Sequence, residues 1–162
     1  MTHPDRSRLP SAAVDIDAPL ERVWAVMLDV ERYAEWNPFI LRAECRTPPR
    51  VGDPITLHVE FRGGKQVVSP ERVTTLRAPY VDNAGVTRAT LGYTYEGWPH
   101  RLGLLHGTRW QQLAQQQGAT RYETVEVFSG PLARQAGFGR VADGFRRHAE
   151  ALRQRAEGLG GA

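Results

Sequence analysis

A long helical pattern follows a series of alternating ones, and that order limits what this chain can fold into. Phe138, Val141, Phe145, Ala149, Leu152 and Ala156 recur every three or four residues, with arginines and glutamates between them. That spacing predicts an amphipathic helix over residues 132–157. Ahead of it the apolar period is two. Residues 11–17 alternate around Val14 and Ile16, Ile55, Leu57, Val59 and Phe61 alternate against Thr56, His58 and Glu60, and Ala89, Leu91, Tyr93 and Tyr95 do the same. Short strands separated by turns indicate an antiparallel sheet. A sheet with one apolar face and a single long helix to cover it curves around that helix, and this α+β packing leaves room for a cavity between the layers.

The remaining elements are read in the same way. Asp17 is a candidate N-cap with Pro19 in the first turn, opening a helix over 18–28 that buries Trp24; Asp29 opens a second, short helix through Tyr33 and Trp36, stopped at Asn37-Pro38. Phe39, Leu41, Ala43 and Cys45 are expected on one face of a strand, with Arg42, Glu44 and Arg46 on the other. Gly63-Gly64 reads as a two-residue hairpin turn, with the return strand over 66–76 carrying Glu71 on its polar, solvated face. Residues 107–114 and 119–128 form a last hairpin. Gly137, Gly139 and Gly144 stand where good helix formers would be expected. Close packing on the sheet and room for a ligand both account for them.

Composition removes several classes of function. With 162 residues, 41% hydrophobic and 24% charged, the chain has the balance of a folded domain, not of a disordered one. No apolar run approaches the ~18 residues of a membrane helix. Residues 1–10 are polar with no apolar block behind Arg6 and Arg8, so a signal peptide is not visible. The expectation is a cytoplasmic protein with one domain over 11–157, a flexible segment at 1–10 and a flexible tail at 158–162. The formal charge is +3 and the arginines are dispersed, which does not favour nucleic acid as a partner. Cys45 is the lone cysteine and Lys65 the lone lysine, leaving no disulfide framework and a poor basis for Schiff-base chemistry. The five histidines lack metal-ligand spacing, and no cofactor is implied.

Three blocks carry a resemblance: Ala18-Pro19 with Val23-Trp24, then Asp29 through Trp36-Asn37-Pro38-Phe39, and Thr120-Arg121 with Glu126 and Phe128-Ser129-Gly130. Together with Gly107-Thr108-Arg109-Trp110 they make residues 11–157 resemble the START-like (SRPBCC, pollen-allergen-like) superfamily, nearest its polyketide cyclase/dehydrase group. The resemblance implies a helix-grip fold, a curved seven-stranded antiparallel sheet gripping the long helix around a deep apolar cavity. It also implies a hydrophobic ligand and carries Glu126 over as the acid of its block. Residues 76–105 depart from the common pattern.

Glu126 is the leading candidate for chemistry. A five-residue loop at 115–119 sets Ala114 opposite Thr120, Trp110 opposite Thr124, Thr108 opposite Glu126 and His106 opposite Phe128. Opposed residues share a face, so His106, Thr108, Trp110, Tyr122, Glu126 and Phe128 would line one wall. An acid desolvated there titrates upward and can move protons for enolisation, aldol closure or loss of water, with His106 or a tyrosine as its partner; pairing with an arginine or Thr108 would make it structural instead. Phe61, Tyr93, Tyr95, Val141 and Phe145 are further ligand-contact candidates, and Trp36 and Trp110 are candidates for pocket floor and wall. Trp98-Pro99 fits either a lid or an interface. His106 and His148 are placed to meet across the cavity. Three functional classes remain open: a cyclase or dehydratase acting on a polyketide-like ligand, a carrier or sensor that returns its ligand intact, and a protein-interaction domain with a filled core. Each suits a monomer or a homodimer.

Overall fold

The computed structural model describes residues 9–160. Most of the expected flexible segment at 1–10 and the last two residues of the expected tail lie outside that range. Pro10, placed in the expected flexible segment, is tied to the sheet: its carbonyl accepts the Glu126 N–H at 3.0 Å. The elements are β1 Ser11–Ile16, α1 Leu20–Leu28, a 3-10 turn Val30–Glu35, β2 Ile40–Glu44, β3 Pro54–Glu60, β4 Gln66–Val81, β5 Thr87–Tyr95, α2 Trp98–Arg101, β6 His106–Gln116, β7 Ala119–Ser129, a 3-10 turn Ala133–Gln135 and α3 Phe138–Gly158. The strands make one antiparallel sheet in the order β1-β7-β6-β5-β4-β3-β2. It curls into a half-barrel around α3, as the helix-grip expectation required.

α3 buries the stripe that its spacing announces: Val141, Phe145, Ala149, Leu152 and Ala156 all lie in the core. It starts at Phe138, later than expected. Gly137 takes a left-handed conformation with φ of 74° ahead of it, which a residue without Cβ tolerates best. The preceding segment peels away, and Leu132 lines a cavity instead of continuing the helix. Gly144 has a different reason to be glycine, because a Cβ there would run into the Phe39 ring. Gly144→Ala is therefore expected to destabilise the domain by about 1–2 kcal/mol: overpacking costs ~1–3, partly offset by the better helix propensity of alanine. Urea unfolding checks this, and an unchanged midpoint would mean that Phe39 swings aside freely.

Two caps and one strand differ from expectation. No side chain caps α1, and Asp29 precedes the Val30–Glu35 turn without a side-chain cap bond; the Leu20 N–H donates to Gln115 Oε1 at 2.9 Å, and Asp17 offers its own N–H to Glu157 Oε1. β2 carries a bulge between Ile40 and Arg42, so Ile40 and Ala43 point inward while Leu41 is only half-buried.

Both hairpins that build the site have turns of unexpected length. The β3–β4 turn has three residues, Arg62-Gly63-Gly64, closed by the Phe61 N–H donating to Lys65 O at 2.9 Å. Glu71 then lies opposite Ile55, on the inner face; a two-residue turn would have put it outside. The β6–β7 turn has two residues, Gln117 and Gly118, with φ of 41° and 86°, the pair of positive values that a tight type I′ turn needs. Gln116 pairs with Ala119, which sets Arg109, not Thr108, opposite Glu126. Side chains alternate with a period of two, so each one-residue difference inverts a strand face.

Candidate functional site: a half-open cavity with a buried arginine and two glutamates

Between the first half of α3 and strands β3–β7 lies a cavity of about 350 Å³, half open to solvent. It sits toward the small end of the ~300–1,000 Å³ usual for small-molecule sites. Leu57 and Val59 of β3, Val141 and Phe145 of α3, Leu105 and Leu132 make an apolar wall. β4 to β7 supply most of the polar groups, because the pairing lines up Glu71 with Tyr95 in one row and Tyr93, Arg109 and Glu126 in the next.

Arg109 is 3% exposed. Its Nε donates to Thr124 Oγ1 at 2.9 Å, and its terminal nitrogens lie 3.4 Å from the hydroxyls of Tyr93 and Tyr122. Its guanidinium stacks 4.1 Å from the Phe145 ring centroid. Gln111, fully buried, ties the tyrosines together: Nε2 donates to Tyr93 OH at 3.0 Å and Oε1 accepts from Tyr122 OH at 2.8 Å. The Tyr93 oxygen thus accepts from two donors. Burial pushes the Tyr93 and Tyr122 hydroxyls up, so both stay protonated. Burial alone would lower the Arg109 pKa, but the facing tyrosines and glutamates raise it, and the guanidinium stays charged.

Glu71 and Glu126 are the titrating pair. Desolvation, then the neighbouring Glu126 charge, raises Glu71 to about 8, against the opposing effects of Ser69 and Arg109; the Ser69 hydroxyl donates to Glu71 Oε1 at 3.0 Å. Desolvation raises Glu126 to about 7, with Arg109 opposing. The Glu126 carboxyl has no hydrogen-bond or ion-pair partner among the described residues, and its Oε1 stands 3.0 Å from where a Cβ on Gly107 would be. The glycine leaves room for the acid.

The sequence candidates divide cleanly. Phe61, Tyr93, Tyr95, Glu126, Phe128, Val141 and Phe145 line the cavity. Tyr122 does not; it is wholly buried behind Arg109, stacked on His148. His106 and Trp110 sit on the outer face, because the turn between β6 and β7 has two residues and not five. His106 is exposed with its Nδ1 3.1 Å from His100 Nδ1, and Trp110 packs over Gly92. His148 does not line the cavity: it is fully buried, its Nδ1 faces Asn37 Nδ2 at 2.9 Å, and burial, followed by Arg109, holds its pKa well below the usual histidine range. Trp36 packs edge-on against Tyr33 and His148, away from the cavity. Trp98 is 66% exposed at the start of α2, and neither it nor Pro99 lines the cavity.

Arg109 and Glu71 escaped the sequence reading. The signal for Arg109 was Gln117-Gly118, since a residue-glycine pair between two strands suits a two-residue turn. Glu71 carried no comparable mark, because Gly63-Gly64 suits a two- or a three-residue turn.

A seven-stranded antiparallel sheet curled around one long C-terminal helix is a fold shared with a known family. The family model described as polyketide cyclase / dehydrase and lipid transport matches residues 11–157, and the chain belongs to that family. No curated protein matches it. Solved structures with a similar fold include a START superfamily protein from Mycobacterium smegmatis, with TM-score 0.63 and 17% identity over 93% of this chain and 98% of that one. A STAR-related lipid transfer protein from Xanthomonas axonopodis gives 0.64 and 14% over 90% and 84%. The di-domain ARO/CYC BexL of the BE-7585A biosynthetic pathway gives 0.54 and 15%, over 86% of this chain and 49% of its own length. At these identities the likeness is one of fold. Family and fold together make this a START-like, ligand-binding type of domain, and no helix among the described residues is long and apolar enough to cross a membrane.

Proposed function

We propose that the cavity holds an apolar, aromatic or polyketide-like small molecule and that Glu126 exchanges protons with it, promoting cyclisation or loss of water. The observation that carries this reading is the unpartnered Glu126 carboxyl, facing an apolar cavity and titrating near neutrality. As a base it takes the proton from a carbon flanked by two carbonyls. The resulting enolate carbon attacks a further carbonyl held near it, and the new alkoxide takes a proton from Glu71, which lines the same cavity. Dehydration then needs one proton delivered to the departing hydroxyl and one removed from the adjacent carbon, work that two carboxyls on one wall are suited to share. The walls contribute by restricting which carbons meet. The open cavity argues against a protein-interaction domain with a filled core.

The test uses 1-phenylbutane-1,3-dione, whose central carbon exchanges hydrogen for deuterium on enolisation. Protein-accelerated exchange, followed by NMR, is expected to fall at least 100-fold in Glu126→Gln. In Ala136→Trp, which fills the cavity wall, it should vanish together with binding of the neutral fluorophore N-phenyl-1-naphthylamine. Binding of the fluorophore with no accelerated exchange would favour a carrier, the reading that the family's lipid-transport description supports. Intrinsic tryptophan emission is a poor reporter here, since none of the four tryptophans lines the cavity.

A further inference from the structure

The polar wall of the cavity has a charge arrangement that its own residues leave incomplete. Arg109 is a buried cation with no carboxylate within ion-pairing distance among the described residues; its hydrogen-bond partners, Thr124, Tyr93 and Tyr122, are all neutral. Of the five N–H groups of a guanidinium, three are spent on these contacts, which leaves one on each terminal nitrogen, a fork suited to an oxyanion. An uncompensated buried charge is costly, and it is relieved when a counter-ion arrives with good geometry. Glu126 is the lateral neighbour of Arg109 across the β6–β7 pair and still forms no ion pair with it, while Glu71 is engaged by Ser69.

We propose that the ligand of this cavity carries an acidic oxygen, as a carboxylate, enolate or phenolate, that this anion seats against Arg109, and that Glu71 and Glu126 bind a proton as it enters. The inference rests on the cavity being a ligand site, and it adds the ligand's charge and the coupling; where the anion is an enolate formed in place, the proton that Glu126 binds is the one it takes from the ligand's carbon. A neutral guest would leave Arg109 as it is. An anionic guest competes with any ionised glutamate for the same cation, so the two carboxyls must be in their neutral, hydrogen-bond-donating form for it to bind well. Their raised pKa values make this cheap near neutrality.

The groups facing the pair are Arg109 on β6, Tyr93 and Tyr95 on β5, and Arg140 on α3, with Tyr122, His148 and Tyr33 beyond Arg109. β3 contributes only apolar side chains to the lining. The tyrosines stay neutral through the relevant range. Arg140 is the one rival anion receiver on this list; it is exposed, 4.7 Å over the Phe61 ring.

Two fluorophores with the same ring skeleton separate the possibilities: 8-anilinonaphthalene-1-sulfonate and its uncharged parent N-phenyl-1-naphthylamine. At pH 6.5 the sulfonate is expected to bind at least tenfold more tightly than the parent. That preference should fall by up to about tenfold per pH unit above pH 7 and disappear by pH 9. Glu126→Gln should raise sulfonate affinity at pH 8 about tenfold and flatten its pH slope. Arg140→Gln should keep the preference. Equal affinities for the two probes, or a preference independent of pH, would overturn this proposal while leaving the cavity as a ligand site. Loss of the preference in Arg140→Gln would overturn it too, by assigning the anion to the mouth. Binding of neither probe would take down the ligand site and this inference together.

Discussion

Phe145→Ala is expected to lower unfolding free energy by about 3–5 kcal/mol, the range for deleting a buried phenylalanine. That is a large share of the ~5–15 kcal/mol by which domains of this size are stable. Phe145 is 2% exposed and joins the two layers. Its ring meets Phe39 at 5.9 Å, edge to face, and the Arg109 guanidinium covers it at 4.1 Å. Truncation removes the apolar area, the aromatic contact and the surface on which the cation rests, and the void opens into the existing cavity. Urea unfolding should show a lower midpoint with an unchanged slope. A loss under ~1.5 kcal/mol would mean that α3 is held mainly by its other half, through Leu152 and Ala156.

A fall in stability of about 2 kcal/mol between pH 6.5 and pH 8.5 is the second expected result, and its sign follows from the glutamate pair. In the unfolded chain both acids titrate near ~4.3; in the fold, burial raises them to about 8 for Glu71 and about 7 for Glu126. The folded state therefore binds more protons in the interval, and the stabilisation present below the unfolded value is lost as pH rises through the folded ones. His148 works in the opposite direction. It is neutral in the fold and protonated when unfolded below ~6.5, so its contribution disappears as pH falls, mostly below the chosen window. Asp82 and Asp143, held low by hydrogen bonds from Arg88 and Arg62, likewise act only at the acid end. Thermal or urea unfolding across the window should show the decline, and the double variant Glu71→Gln/Glu126→Gln should flatten it. A slope unaltered in the double variant would place the titration elsewhere.

These two results probe different levels of the molecule. Phe145 belongs to the stripe Phe138, Val141, Phe145, Ala149, Leu152, Ala156, which a period of three to four residues reveals without any structure. Glu126 was also visible, since Tyr122, Glu126 and Phe128 fall on one side of their strand whatever the partner's register, although Tyr122 turned out to lie behind the cavity and not in it. Arg109 and Glu71 were not visible, and the wall built around Glu126 from His106, Trp110 and Thr108 was wrong on every β6 member. Trp36 failed for another reason: a large aromatic in a short helix has several apolar surfaces to join, and it joined the Tyr33–His148 cluster.

By itself the sequence determined the order of elements, the apolar face of β3, β5, β7 and α3, and the need for a sheet curved around one helix. Each is a matter of local period, which neighbours a few residues apart enforce. Only the tertiary structure decided which charges enter the cavity. That choice turns on a one-residue step of register at each of two hairpins: the β6–β7 turn taking two residues instead of five, with Gln117 at a positive φ, and the β3–β4 turn taking three residues instead of two. A single such step exchanges the two faces of a strand, and it is settled by how the whole sheet packs on α3, beyond the reach of the four or five residues of the turn.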